Sequence, residues 1–231
     1  MIIHIGKCGG SNINCKFKEK YKINLPIIHC FKCTNNHIIN TDHICILIRD
    51  PITRYISIFY FFYDLYKRYM NGENIPHKNQ IIKQKHIFLK FNTANKLAEA
   101  LNSEDLLEKN IAESSFILFN HLNYNYEYYL SNLNIDTIKK NKKIFIIRQE
   151  FYENDFKIYH NFLIQKYKIN NPDLNFFIET KLTNTDKYND QKKLSKIAID
   201  NLKNKMKNDY NILNNLLKHD LITKQYINSF I

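Results

Sequence analysis

No apolar run in this chain approaches the roughly 20 residues needed to cross a bilayer, and Met1 leads directly into Ile2 and Ile3 without a charged region ahead of a long apolar stretch. Neither a membrane span nor a secretory leader is expected. Cysteine is sparse and odd in number: Cys8, Cys15, Cys30, Cys33 and Cys45 occur in a chain large enough to fold without staples, so no disulfide framework is expected and a reducing, cytoplasmic setting fits. Acidic residues are outnumbered, 22 against 34 basic ones, and the net charge of +12 favours anionic partners. Glycine occurs only four times, and arginine stands only at positions 49, 54, 68 and 148.

Asn, Ile, Lys and Tyr are so abundant that a coding bias would supply many of the lysines, which makes the scarce residue types the informative ones. Three of the four glycines, Gly6, Gly9 and Gly10, lie together, and so do Arg49 and Arg54. Such clustering points to backbone and side-chain geometry that Lys or Asn does not provide. With 44% hydrophobic and 14% aromatic residues, the chain has the material for one good core, and a single domain over residues 1–231 is expected.

Met1 to Ile5 reads as a short buried strand, followed by a glycine turn and a helix in which Ile13, Phe17 and Tyr21 share a face. Leu25 to Phe31 and Ile44 to Ile48 have the Ile-rich character of parallel strands covered on both faces. Asp50 and Pro51 then make a helix start, cap and first position, for a helix running to about Met70. In it Ile56, Phe59, Tyr60 and Tyr63 recur at helical spacing, while Asp50, Arg54 and Ser57 fall elsewhere. Residues 71–92 read as a polar surface excursion, and helix is expected again from Thr93 to Asn110. Phe116 to Phe119 is ambiguous and Lys143 to Ile147 reads as a strand. Glu150 to Tyr167 and Asp190 to His219 read as helices. Strands alternating with helices predict an α/β fold with a mainly parallel sheet.

His4-Ile5-Gly6-Lys7-Cys8-Gly9-Gly10-Ser11-Asn12 puts a lysine and a glycine pair between a strand and a helix. Loop N–H groups and the positive helix end converge on an anion in such a turn, and Lys7 adds a mobile charge. A nucleotide triphosphatase loop requires G-x-x-x-x-G-K-[ST], whereas here the lysine precedes the glycine pair. A strand-terminal Arg49 also stands where a magnesium-binding acid is expected, although Asp50 follows.

These residues resemble the loop of the sulfotransferases that use 3′-phosphoadenosine 5′-phosphosulfate, in whose Golgi carbohydrate branch it reads much like H-I-P-K-T-G-G-T-S. The histidine, lysine and both glycines are present; Gly6 replaces proline, Cys8 and Ser11 replace threonines, and Asn12 replaces serine. Ser11 keeps a hydroxyl donor, whereas the Cys8 thiol is a poorer one. Ile48-Arg49-Asp50-Pro51-Ile52-Thr53-Arg54-Tyr55-Ile56-Ser57 closely resembles the same family's R-D-P-x-x-R-x-x-S element for the 3′-phosphate. Arg49 offers a planar fork to phosphate oxygens and Ser57 a hydroxyl. Arg54 either joins that shell or pairs with Asp50, and a structural role is favoured. A weaker likeness extends over Phe145 to Phe151 with Asp155, Thr183 to Lys187 and Asn208-Asp209-Tyr210.

The resemblance implies a P-loop-like three-layer α/β fold, with a central mainly parallel sheet flanked by helices and a helical C-terminal half. It implies sulfuryl transfer from 3′-phosphoadenosine 5′-phosphosulfate (PAPS) to an acceptor hydroxyl, without a metal. Lys7 would stabilise the leaving side, and Lys7, Cys8, Gly9, Gly10, Ser11, Asn12, Arg49 and Ser57 would bind the donor. A histidine between the two motifs serves as base in related carbohydrate enzymes; His29 is the best-placed match and His37 the alternative. His4, inside the first strand, reads as structural, and Lys181 and Lys187 read as solvated, with a reach to the nucleotide from a closing loop as the alternative. His29, Cys30, Cys33 and His37 have metal-like spacing without a second C-x-x-C pair and are read as scattered residues. The expected partners are the nucleotide donor and an anionic or hydroxylated acceptor, a glycan by the resemblance; no membrane span and no nucleic acid is expected. Two other classes stay open: a P-loop-type nucleotide kinase or hydrolase, and a polyanion-binding module with a vestigial nucleotide site.

Overall fold

The computed structural model describes residues 1–29, 32–178 and 192–230, with only the backbone of Ser11 and Asn12. Along the chain it contains β1 (Ile2–His4), α1 (Ser11–Tyr21), β2 (Ile27–Ile28), α2 (Asn35–Ile39), β3 (His43–Ile48), α3 (Pro51–Met70), α4 (Lys78–Lys90), α5 (Ala94–Glu99), α6 (Leu106–Leu118) and β4 (Lys143–Arg148). Further helices include Tyr126–Leu130, Tyr152–Tyr167, Lys196–Lys205 and Lys207–Lys218. The architecture is α/β, built on a four-stranded parallel sheet. Two compact units share the chain: Met1–Arg49, Tyr126–Asn184 and Asn211–Ser229 form one, Asp50–Asn125, Thr185–Tyr210 and Phe230–Ile231 the other.

The first unit holds the sheet, in the order β2-β1-β3-β4. Every residue of β1 and β3 is buried, which is why these segments read as unbroken apolar runs rather than alternating ones. Ile3 pairs with Ile46 and His4 with Leu47, while Ile46 pairs in turn with Ile146. The α1 helix buries Ile13 and Phe17, and Phe17 packs among Phe156, His160 and Phe177. Tyr21, half-buried at the end of the same face, accepts the Asp173 N–H at 2.8 Å and meets His160 Nε2 at 3.2 Å. Of the strand expected over Leu25 to Phe31, Ile27–Ile28 is strand among the described residues; Leu25 is held before it, its N–H on Asn14 Oδ1 at 2.9 Å.

The second unit is helical and centred on α3. Asp50 caps that helix, accepting the N–H groups of Ile52 and Thr53 at 3.3 and 3.0 Å, and Pro51 takes the first helical position, where a missing N–H costs no bond. Its apolar face buries Ile52, Tyr55, Ile56, Phe59, Tyr60 and Phe62. Full burial of such side chains contributes about 1.5–3 kcal/mol each.

Residues 71–92 correct the expectation of a polar excursion. Lys78–Lys90 is a helix whose Ile81, Ile87 and Phe88 enter the core beside Phe59 and Tyr66. Buried Gln84 donates its amide to the Leu118 carbonyl at 2.8 Å, so a polar residue sits on the inward face and blurs the period. The helix expected from Thr93 to Asn110 is broken after Asn102, and Asp105 caps a new one, Leu106–Leu118, that takes in the ambiguous run up to Leu118 and leaves Phe119 as its C-cap. The stretch expected as one helix from Asp190 to His219 is described from 192 and is interrupted at Met206. Among the described residues no helix is long and apolar enough to cross a membrane.

Candidate anion site at the ends of β1 and β3

From β1 the chain passes to β2 on one side and then returns to β3 on the other. The sheet therefore has its topological switch point between β1 and β3, and in open parallel sheets ligands bind beyond the carboxyl ends of the strands at that point. The Gly6 to Gly10 loop leaves β1 there and Arg49 leaves β3.

The loop is tightly wound. Cys8 N–H donates to the Ile5 carbonyl at 3.2 Å, and both Lys7 (φ 66°) and Gly9 (φ 83°) take left-handed backbone. For lysine that conformation costs about 1–2 kcal/mol; for glycine it is free of steric penalty. A Cβ at Gly9 would lie 2.0 Å from Gln149 Oε1, and one at Gly10 would lie 2.4 Å from the His4 ring. The glycine pair is thus required twice, by conformation at Gly9 and by close packing at Gly10. Gly10 takes the N-cap position of α1 without side-chain capping, and Ser11 and Asn12 form the helix's first turn, where backbone N–H groups lack intrahelical acceptors.

Lys7 is half-buried, and burial together with the neighbouring Arg49 guanidinium lowers its pKa to about 8. Arg49 Nη1 lies 3.4 Å from the Lys7 carbonyl oxygen. Two cations are therefore held near one another in a half-buried place, where their combined potential attracts anions. Arg49 is fixed through its main chain: the Tyr126 hydroxyl accepts its N–H at 2.8 Å and donates to its carbonyl at 2.5 Å. The same hydroxyl lies 3.5 Å from Cys8 Sγ. Cys8, the departure from the resembled loop, is fully buried and faces this oxygen.

The remaining members of the second motif belong to the other unit. Ser57 lies on the partly open side of α3, one turn after Thr53. Arg54 is fully buried, donating Nη2 to the carbonyls of His121 and Tyr124, the latter at 2.9 Å, with Asp209 Oδ2 3.7 Å from Nη1. These buried partners fit the structural role favoured for it. Tyr210 directs its hydroxyl to Asp50 Oδ1 at 3.5 Å, which gives the Asn208-Asp209-Tyr210 segment its task.

His29 is half-buried just beyond β2 and stacks on His4, with ring centroids 4.3 Å apart. Its Nδ1 meets the His4 carbonyl oxygen at 2.9 Å; because that oxygen only accepts, Nδ1 carries the hydrogen and the neutral ring has its lone pair on Nε2. His37 is exposed, and its Nδ1 closes the capping box of α2 with Thr34. The Cys33 thiol is buried and pushed up to about 11 by that burial. Cys30, Lys181, Lys187 and the Thr183 to Lys187 segment lie outside the described residues.

Tyr126 and Gln149 were not singled out from the sequence. Tyr126 stands in the tyrosine-rich stretch 124–129, where composition conceals it, and Gln149 follows the strand-end Arg148. Arg148 is spoken for by Asp155, with contacts of 2.7 and 2.6 Å, and by the rings of Phe151 and Tyr226. Compared with known proteins, no family model matches the chain, and no curated protein or solved structure is significantly similar to it.

Proposed function

We propose that this protein is a sulfotransferase of P-loop-like, three-layer architecture that transfers the sulfuryl group of PAPS to an acceptor hydroxyl, with a carbohydrate as the favoured acceptor class. The observation that carries the reading is the pairing of half-buried Lys7 with Arg49 beyond the ends of adjacent parallel strands, next to a glycine turn that opens a helix. One cation belongs to the loop that resembles a 5′-phosphosulfate site, the other to the element that resembles a 3′-phosphate site.

In this reading the loop N–H groups and Lys7 hold the 5′-phosphosulfate, and Arg49 holds the 3′-phosphate. The acceptor oxygen attacks sulfur in line with the bridging oxygen. Its bond to sulfur forms as the bond from sulfur to the bridging oxygen breaks, and the electron pair departs onto the 5′-phosphate, where Lys7 stabilises it. The acceptor proton passes to His29 Nε2, the nitrogen whose lone pair is set by the Nδ1 bond to His4. His37 is less suited, its Nδ1 being engaged in a helix cap.

The test is calorimetric binding of 3′-phosphoadenosine 5′-phosphate, 5′-AMP and ATP without magnesium, on the wild type and Arg49→Ala. A 3′-phosphate preference that falls by about 100-fold in Arg49→Ala is expected, the scale of lost charge-assisted bonds. Equal or better ATP binding would move the kinase reading forward. Binding to none of the three, with salt-steep binding to heparin, would favour the polyanion module.

A further inference from the structure

The main chain of Arg49 lies just past the last pair of the β3 and β4 ladder, Ile48 with Arg148. Its N–H and its carbonyl both take a partner from a side chain remote in sequence. The Tyr126 hydroxyl supplies both, accepting at 2.8 Å and donating at 2.5 Å. Tyr126 is fully buried, so its ring is fixed by packing and its oxygen has little freedom. A phenol has one proton, and here that proton goes to the Arg49 carbonyl; the Cys8 thiol stands 3.5 Å from the same oxygen and 4.0 Å from the Gly6 carbonyl. One oxygen atom thus joins the strand end that carries Arg49 to the loop that carries Lys7.

We infer that Tyr126 is a positioning residue that sets the spacing between Arg49 and the glycine loop, and so sets the preference for a nucleotide bearing phosphates at both ends of the ribose. The inference rests on the donor-site reading above and adds a residue to it. A ligand with only a 5′-phosphate engages the loop and leaves Arg49 unused, so it is insensitive to that spacing. A 3′,5′-bisphosphate spans both elements. The energy of its second contact then depends on where the Arg49 main chain is anchored. Cys8 belongs to the same device, because its thiol reaches the Tyr126 oxygen from the loop side.

The experiment measures calorimetric affinities for 3′-phosphoadenosine 5′-phosphate and 5′-AMP on the wild type, Tyr126→Phe, Arg49→Ala and the double variant. Tyr126→Phe should weaken the bisphosphate about tenfold and 5′-AMP by less than about twofold, the scale of one or two lost buried hydrogen bonds. In the Arg49→Ala background it should change neither affinity, since the coupling runs through that side chain. Wild-type affinity for the bisphosphate in Tyr126→Phe, or equal weakening of both ligands, overturns the inference while leaving the donor site standing. A wild type that does not prefer the bisphosphate overturns the donor-site reading, and this inference with it. If Tyr126→Phe does not fold, 4-aminophenylalanine at position 126 keeps the ring and a donor to the Arg49 carbonyl but accepts poorly. It should weaken only the bisphosphate, by about threefold, and unchanged affinity there overturns the proposal equally.

Discussion

Arg49 leaves β3 half-buried, its guanidinium against the Lys7 carbonyl and its charge close enough to depress the Lys7 pKa. Arg54, one helical turn into α3, is fully enclosed by the carbonyls of His121 and Tyr124 and the carboxylate of Asp209. The two belong to one short motif and are the same residue type, yet one is placed beside another cation and the other among anionic and dipolar partners. The charge beside Lys7 favours an added anion nearby, whereas enclosure by carbonyls and a carboxylate is the environment of a residue that holds a fold together.

The largest effect that separates them is on stability. Arg54→Ala should cost about 3–5 kcal/mol, because Asp209 stays buried without its cation and two carbonyls lose a charged donor. Denaturant unfolding checks this. Arg49→Ala in the same assay should shift stability by less than about 0.5 kcal/mol, as expected for a change that leaves the Tyr126 bonds to its main chain in place. An unfolded Arg49→Ala, or an unaffected Arg54→Ala, would erase the contrast.

A smaller effect concerns pH. The Lys7 pKa in the folded chain, about 8, lies below the usual 10.5, so the neutral amine suits the fold better than the ammonium does. Its contribution to stability therefore rises as pH climbs through about 8 toward 10.5. Affinity for an anion, which needs the ammonium, should move oppositely, holding below about pH 8 and then falling by at most about tenfold per unit. Nucleotide titrations and thermal unfolding from pH 6.5 to 9.5 would show the crossing trends, and Lys7→Met should abolish this contribution to both.

Much of this organisation was legible because local chemistry and tertiary structure agree. Asp50 and Pro51 form a complete helix start, and α3 ends at Met70, where its apolar period ends. The buried strands β1 and β3 announce themselves as unbroken apolar runs. Other parts were hidden for identifiable reasons. The α4 helix carries its core residues among lysines and glutamines, and its inward Gln84 breaks the hydrophobic period. The Tyr126 clamp joins residues remote in sequence and uses a residue type the chain has everywhere, so spacing carries no trace of it. In the candidate site, the glycines and Arg49 were readable through their scarcity. The stacking of His29 on His4 required coordinates, since strand pairing alone brings those rings together.

The two loop glycines also make different statements about how this sequence is free to change over generations. At Gly10 the obstruction is a single neighbour, the His4 ring. A lineage that shrinks position 4 opens room for alanine at position 10, and the two positions should covary among relatives. At Gly9 the obstruction is the Gln149 amide together with a left-handed backbone, so trimming Gln149 removes only half of it. Position 9 should therefore stay glycine even where position 149 drifts, and the asymmetry would mark which glycine serves the turn and which serves the packing.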